Sequence, residues 1–248
     1  MRNVAKPVAL LAALATPLAW GFDDGSEPVV PPFSGGIELG AFMATGNTET
    51  THIKGKIDTQ HLIGNWQNQY LFETLYSEDG DERSAERYYG LVQGNYPGAG
   101  KHYFFGMASG EVDKFSGYDY IATGAVGYGQ RIIDQDNMTL VSEIGPGYSY
   151  KKIDLNEDPD GEDESSWITR VKLEYWWQFS STAEFRQLLA SDIAFDGANI
   201  SRSETSVSAA LIGNLAMKLS YNVKYNSDPV GDLKSTDTEL GATLLYSF

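Results

Sequence analysis

The chain has 248 residues, 34 of them acidic and 18 basic, for a formal charge of -16. That balance excludes nucleic-acid binding through phosphates and docking on an anionic surface by charge alone. There is no Cys, so disulfides, thiolate metal sites and cysteine nucleophiles are excluded, and no stretch approaches the roughly 18 apolar residues of a membrane helix.

At the N-terminus, Arg2 and Lys6 precede the short apolar run 8–20, which ends in small residues before Phe22-Asp-Asp24. A basic flank, an apolar core too short to span and a small-residue exit predict a secretory signal peptide over 1–21. Pro28, Pro31 and Pro32 then mark 22–34 as an extended periplasmic leader, because a strand ladder does not tolerate that spacing of missing donors. From 35 to 248 the pattern is strand, connection, strand, with no 3.6-residue periodicity.

Strands are expected at 35–46, 51–63, 66–76, 85–96, 102–113, 118–133, 138–151, 164–179, 182–192, 199–211, 215–226 and 236–248. The alternation is cleanest in the eighth, where Trp167, Thr169, Val171, Leu173, Tyr175 and Trp177 oppose Ile168, Arg170, Lys172, Glu174 and Trp176. In the eleventh, Leu215, Met217, Leu219, Tyr221 and Val223 oppose Lys218, Ser220, Asn222 and Lys224. The last strand carries Leu240, Ala242, Leu244, Tyr246 and the terminal Phe248, the pattern of the terminal strand recognised by the outer-membrane barrel assembly machinery.

A soluble sandwich alternates in the same way but turns its charged face to water. Three observations favour a membrane barrel, whose apolar face meets lipid and whose charged face lines the lumen. Tyr and Trp cluster toward strand ends (Trp66, Tyr76, Tyr88, Tyr89, Tyr96, Tyr103, Tyr118, Tyr120, Tyr148, Tyr150, Trp167, Trp176 and Trp177), as two membrane interfaces require. Connections alternate in length: 64–65, 97–101, 134–137, 180–181 and 213–214 are short, whereas 77–84, 152–163, 193–198 and 227–235 on the other side are longer. The connections near Asn47 and at 116–117 belong to that longer set by order but are short. An even strand number puts both termini on the periplasmic side, with Phe248 closing the barrel against the first strand. The expected fold is therefore all-β: a transmembrane antiparallel up-and-down β-barrel of about twelve strands.

The expected lumen face is charged with both signs. Glu38 lies on the first strand, Lys54, Lys56 and Asp58 on the second and Glu73 on the third. Arg131 and Glu143 follow on the sixth and seventh, Arg170, Lys172 and Glu174 on the eighth, and Glu184 and Arg186 on the ninth. Arg202 and Glu204, Lys218 and Lys224, and Asp237 and Glu239 complete the set on the last three strands. Inward charges on adjacent strands can pair across the ladder as a structural network, or line a pore that sorts small solutes by sign and size. Twelve strands about 4.8 Å apart and tilted about 40° leave a lumen on the order of 10 Å before long side chains narrow it.

Other chemistry is less well supported. Asn156, Asp158 and Asp160 before Gly161 resemble the first half of a calcium loop, but Trp167 stands where the bidentate Glu belongs, so a solvated acidic loop is the expectation. Only His52, His61 and His102 could serve as the base of a serine triad. His61 and His102 fall near the expected periplasmic ends, and nothing around His52 resembles the His-Ser-Asn arrangement of outer-membrane phospholipase A, so an enzyme is not expected. Gly145-Pro146-Gly147 reads as a bulge rather than a phosphate cradle, and no cofactor is expected.

Several stretches resemble the YdiY-like family of salt-induced outer-membrane proteins: Thr45-Gly-Asn-Thr-Glu-Thr50, Phe115-Ser-Gly-Tyr-Asp119, Gly145-Pro-Gly-Tyr148, Ser201-Arg-Ser-Glu-Thr205, Asn226-Ser-Asp-Pro229 and Tyr246-Ser-Phe248. The resemblance covers the whole expected barrel. It implies an outer-membrane location, with lipid and lipopolysaccharide as surroundings, and a link to salt. The family supplies no agreed substrate or catalytic residues. Together these readings predict a narrow passive channel for ions or small solutes under osmotic stress, with a closed structural barrel and a lipid-modifying enzyme as the competing readings.

Overall fold

The structure, a computed structural model, describes residues 32–44, 50–79, 82–156, 158–231 and 233–248. The expected signal peptide, most of the expected leader and the Thr45-to-Glu49 part of the first family motif lie outside the described residues. Twelve strands follow one another: β1 (Phe33–Ala44), β2 (Thr50–Ile63), β3 (Trp66–Asp79), β4 (Glu82–Pro97), β5 (His102–Asp113), β6 (Tyr118–Gln135), β7 (Met138–Ile153), β8 (Glu164–Gln178), β9 (Ala183–Ala194), β10 (Ile200–Ile212), β11 (Leu215–Asn226) and β12 (Thr236–Ser247). Each pairs antiparallel with its neighbours in sequence, and β1 pairs with β12, so the sheet closes into a barrel with no free edge. The closing seam is pinned by reciprocal backbone bonds between Gly35 and Phe248, each 3.0 Å, and the Phe33 and Phe248 rings stack at 5.8 Å.

Turn chemistry sets the two ends apart. Gly64 and Gly213 open two-residue hairpins with φ of 58° and 55°, the left-handed backbone that the first central position of a type II′ turn needs. These hairpins lie at the end that holds Phe33 and Phe248, here called the terminal end; the connections at 154–163 and 227–235 lie at the opposite, loop end.

Burial is inverted relative to a soluble sheet protein. Leu240 is 80% exposed, whereas Lys218 is 5% exposed and Glu143 only 2%. Met217, Leu219 and Tyr221 of β11 face outward with Leu244 and Tyr246 of β12, as do Trp167, Val171, Leu173 and Trp177 of β8. An uninterrupted outward apolar band is stable only against hydrocarbon. Aromatic pairs rim it: Trp66 with Tyr96 and Trp177 with Phe179 at the terminal end, and Tyr148 with Trp167 and Tyr120 with Tyr150 at the loop end. The molecule is a transmembrane β-barrel.

The structure departs from the sequence expectations in four places. The first strand begins at Phe33, inside the expected leader, because the Pro32 carbonyl already accepts from Leu62 N at 2.8 Å. Most of the expected loop 77–84 is strand: β3 runs to Asp79 and β4 starts at Glu82, with a register shift at Ser77/Glu78 absorbing the mismatch. Tyr89, Tyr103, Tyr118 and Trp176 are not belt residues. They fall on the inward phase of their strands, and the Trp176 indole N–H donates to Glu184 inside the barrel. Finally, Gly145–Gly147 is not a bulge. The β6–β7 register is the same on both sides of it, and the shifts lie at Tyr118/Tyr120 and Arg131/Ile133. Pro146 lacks an N–H, and the flanking glycines let the two backbones approach closely: a Cβ on Gly145 would lie 2.0 Å from the Val126 carbonyl oxygen.

Candidate functional site

The expected lumen residues meet through the interior, as contacts between strands that are not neighbours require. Lys56 on β2 reaches Glu204 on β10 at 3.2 Å and Glu73 on β3 at 2.9 Å. Lys218 bonds Glu204 at 2.7 Å and Glu38 at 2.9 Å, so five side chains from β1, β2, β3, β10 and β11 form one connected network. Glu239 on β12 is held by Lys54 at 2.5 Å and by Arg87 on β4 at 3.1 Å.

Nearer the loop end, Glu111 on β5 accepts from Arg202 on β10 at 2.8 Å and from Lys224 on β11 at 2.5 Å, and Lys224 also reaches Asp113 at 3.1 Å. These short contacts pinch the lumen between β5 and β10–β11. Toward the terminal end, Arg186 pairs with Glu174 at 2.6 Å, and Lys172 pairs with Glu143, which also accepts from Tyr103 at 2.7 Å and Gln93 at 2.9 Å. Arg170 pairs with Asp192 at 2.7 Å. Among the described residues Asp58 holds no ion pair and accepts from Gln69 at 2.9 Å. Arg131 is buried and likewise unpaired, and its Nε has no partner.

Arg87, Glu111, Asp113, Asp192, Lys151 and Glu164 were not among the expected lumen charges. The alternation of Tyr103, Phe105, Met107, Ser109, Glu111 and Asp113 on β5 would have revealed two of them, but the apolar start of that face hides its charged end. The same face explains a second surprise, that the lumen is not charged all round. Tyr103, Phe105, Met107, Ala125 and Val141 form an apolar cluster against Leu91. Gly129 makes room for it: a Cβ there would lie 2.2 Å from the Tyr103 ring.

Three cavities that share lining residues follow the axis. A mouth cavity of about 320 Å³ is lined by Phe115, Tyr118, Lys224 and Asp237. A central chamber of about 360 Å³ shares Phe115, Lys224 and Asp237 with it. A neck of about 50 Å³ toward the terminal end shares Asp58, Gln69, Lys172, Glu174 and Arg186 with the chamber. The 227–235 connection crosses the mouth from β11–β12 to the nearly opposite β6–β7 wall. There Val230 and Leu233 pack on Tyr118, Ile121 and Ile153, with Val230 against Gly117. Replacing Val230 by Asp removes one apolar anchor worth about 1.5 kcal/mol. The undocked strap should gain at least about tenfold in population, seen as faster amide hydrogen exchange over 227–235.

The remaining sequence candidates separate. In the acidic loop the Asn156 amide donates to Asp154 at 2.7 Å, and among the described residues no three His, Cys, Asp or Glu side chains group closely enough to hold a metal ion. His61 packs edge-on to Phe33 and His102 bonds Tyr128, both at the terminal end. His52 does meet a serine, with its Nδ1 2.8 Å from Ser77 Oγ, which in turn lies 2.8 Å from Ser84 Oγ. The Ser77 side chain is buried within this hydrogen-bond chain.

The protein resembles known chains at two levels. It is 26% identical to the uncharacterized protein YdiY of Escherichia coli (strain K12), over 96% of this chain and 92% of that one. Among solved structures, the translocator domain of the autotransporter NalP from Neisseria meningitidis aligns with a TM-score of 0.46 at 10% identity, covering 87% of this chain and 88% of that one. The outer membrane channel DcaP of Acinetobacter baumannii aligns with a TM-score of 0.41 at 9% identity, covering 87% and 95%. The family described as "Protein of unknown function, DUF481" matches residues 37–248, most of the chain including its last residue, and the protein belongs to that family.

Proposed function

We propose that the protein is a narrow passive channel of a bacterial outer membrane, passing ions or small solutes, with both termini on the periplasmic side. The observation that carries this reading is the run of mouth, chamber and neck cavities along the barrel axis, lined by charges of both signs. The outward apolar band supports lipid and lipopolysaccharide as surroundings, and the apolar-aromatic β12 ending at Phe248 supports delivery by the barrel assembly machinery. The role in salt or osmotic stress rests on the family resemblance.

A non-enzymatic role fits the burial of the Ser77 hydroxyl, which keeps the serine beside His52 away from a substrate. The ion pairs that cross the lumen favour one other reading, a closed barrel whose role is mechanical. Planar-bilayer recording of refolded protein separates the two. A channel gives discrete conductance steps, whereas a closed structural barrel gives none at any salt concentration.

A further inference from the structure

The central chamber is amphiphilic. Leu71, Leu75, Leu91 and Leu188 all line it from strand positions where an ion-only pore would carry polar groups. Leu71 and Leu91 are register partners, and Leu75 stands two inward positions further along β3, so the three leucines form a strip interrupted by Glu73, which is paired with Lys56. The charges around the strip are nearly balanced and mostly spent on one another.

The exception lies beside Leu75, whose register partners are Lys54 on β2 and Arg87 on β4. Both cations bond the single carboxylate of Glu239, Lys54 at 2.5 Å and Arg87 at 3.1 Å. Lys54 neutralises Glu239, so the Arg87 guanidinium, which lines the chamber, keeps charge to offer. Two residues from Glu239 on the same face of β12 is Asp237. It also lines the chamber and has no ion pair with a described residue. Residues two apart on a strand are about 7 Å apart.

Because Arg87 is bonded to Glu239, its guanidinium stands one inward position of β12 away from Asp237, a cation and an anion side by side for the two ends of one small zwitterion. We propose that the chamber binds small α-amino-acid-like zwitterions with an apolar side chain, the carboxylate on Arg87, the ammonium on Asp237 and the side chain on Leu75 and Leu91. The inference deepens the channel reading by naming the solute class. The chamber's size suits it, since small-molecule sites of a few hundred Å³ are mostly apolar with a few placed polar groups.

Calorimetry on the refolded full chain in detergent tests the site without requiring conduction. The probes are L-leucine, glycine, 4-methylpentanoate and isoamylamine, which lack respectively nothing, the side chain, the ammonium and the carboxylate. L-Leucine should bind about tenfold more tightly than glycine, and more tightly than either singly charged analogue. Leu75→Ser/Leu91→Ser should reduce leucine to the glycine level. Asp237→Asn should erase the advantage of leucine over 4-methylpentanoate, with heat-modifiable mobility on gels reporting that each variant still closes.

Equal binding of leucine and either singly charged analogue, or no binding by any probe, overturns the proposal. Bilayer conductance on the same preparations reads the channel role separately: conduction without leucine binding sinks the solute assignment alone, and leucine binding without conduction sinks the channel alone.

Discussion

Lys218→Met is expected to destabilise the barrel by roughly 3 kcal/mol, the scale seen when one partner of a buried ion pair is removed. Among the described residues Lys218 is the only ion-pair partner of Glu38, and both side chains are buried. Removing the lysine leaves Glu38 with a weak 3.5 Å contact from Thr243, while Glu204 still holds Lys56. Much of the loss therefore comes from a stranded carboxylate and not from an attraction forgone. Adding Glu38→Gln removes the stranded charge and should restore stability to within about 1 kcal/mol of the parent. Urea unfolding in lipid vesicles, followed by tryptophan emission, reads both variants. Equal stability of Lys218→Met and the parent would mean that water reaches this layer freely.

A larger effect is expected at Gly145. A Cβ there would lie 2.0 Å from the Val126 carbonyl oxygen and 2.6 Å from Gly127 Cα. Both are backbone atoms of the paired strand, so no rotamer change relieves the clash. Gly145→Val should cost well over 3 kcal/mol, beyond the usual range for overpacking, and abolish closure of the barrel. Gly90 and Gly110 supply the control, because an added Cβ at either meets nothing within 4 Å. Gly90→Ala and Gly110→Ala should refold like the parent. Refolding into detergent micelles, read as the gel-mobility difference between boiled and unboiled samples, compares all three. A Gly145→Val protein that closes normally would show that β6 and β7 are not held as close as described.

The legible part of this protein is the part dictated by period-two alternation. β8, β11 and β12 have one face apolar almost throughout, so their limits and orientation could be read directly. The two-residue Gly64 and Gly213 hairpins fixed the neighbouring registers. Tyr103 and Trp176 were misassigned for a physical reason. An amphipathic ring at a strand end suits an interface and an interior hydrogen bond equally well, and only the phase relative to the neighbouring strand separates the two. Gly145-Pro146-Gly147 was misread because glycine next to proline marks equally a bulge and a close approach of two backbones.

The individual lumen charges were legible but their pairings were not. Lys56 and Glu204 are 148 residues apart and meet only because the sheet closes on itself. The apolar lumen strip was hidden for the opposite reason. Leu71, Leu75 and Leu91 sit on inward positions that a charged-lumen rule assigns to polar groups, so that rule passes over them.

The central claim is that oily side chains face hydrocarbon while charged ones face an aqueous lumen. Because the chain has no Cys, single cysteines placed along β11 and tagged with an environment-sensitive fluorophore report each position separately. Probes at 217, 219 and 221 should be quenched by brominated lipid and shielded from an aqueous quencher, while those at 220 and 222 show the reverse. Lipid quenching at 220 and 222, with aqueous quenching at 217, 219 and 221, would contradict the barrel's orientation and the channel proposed within it.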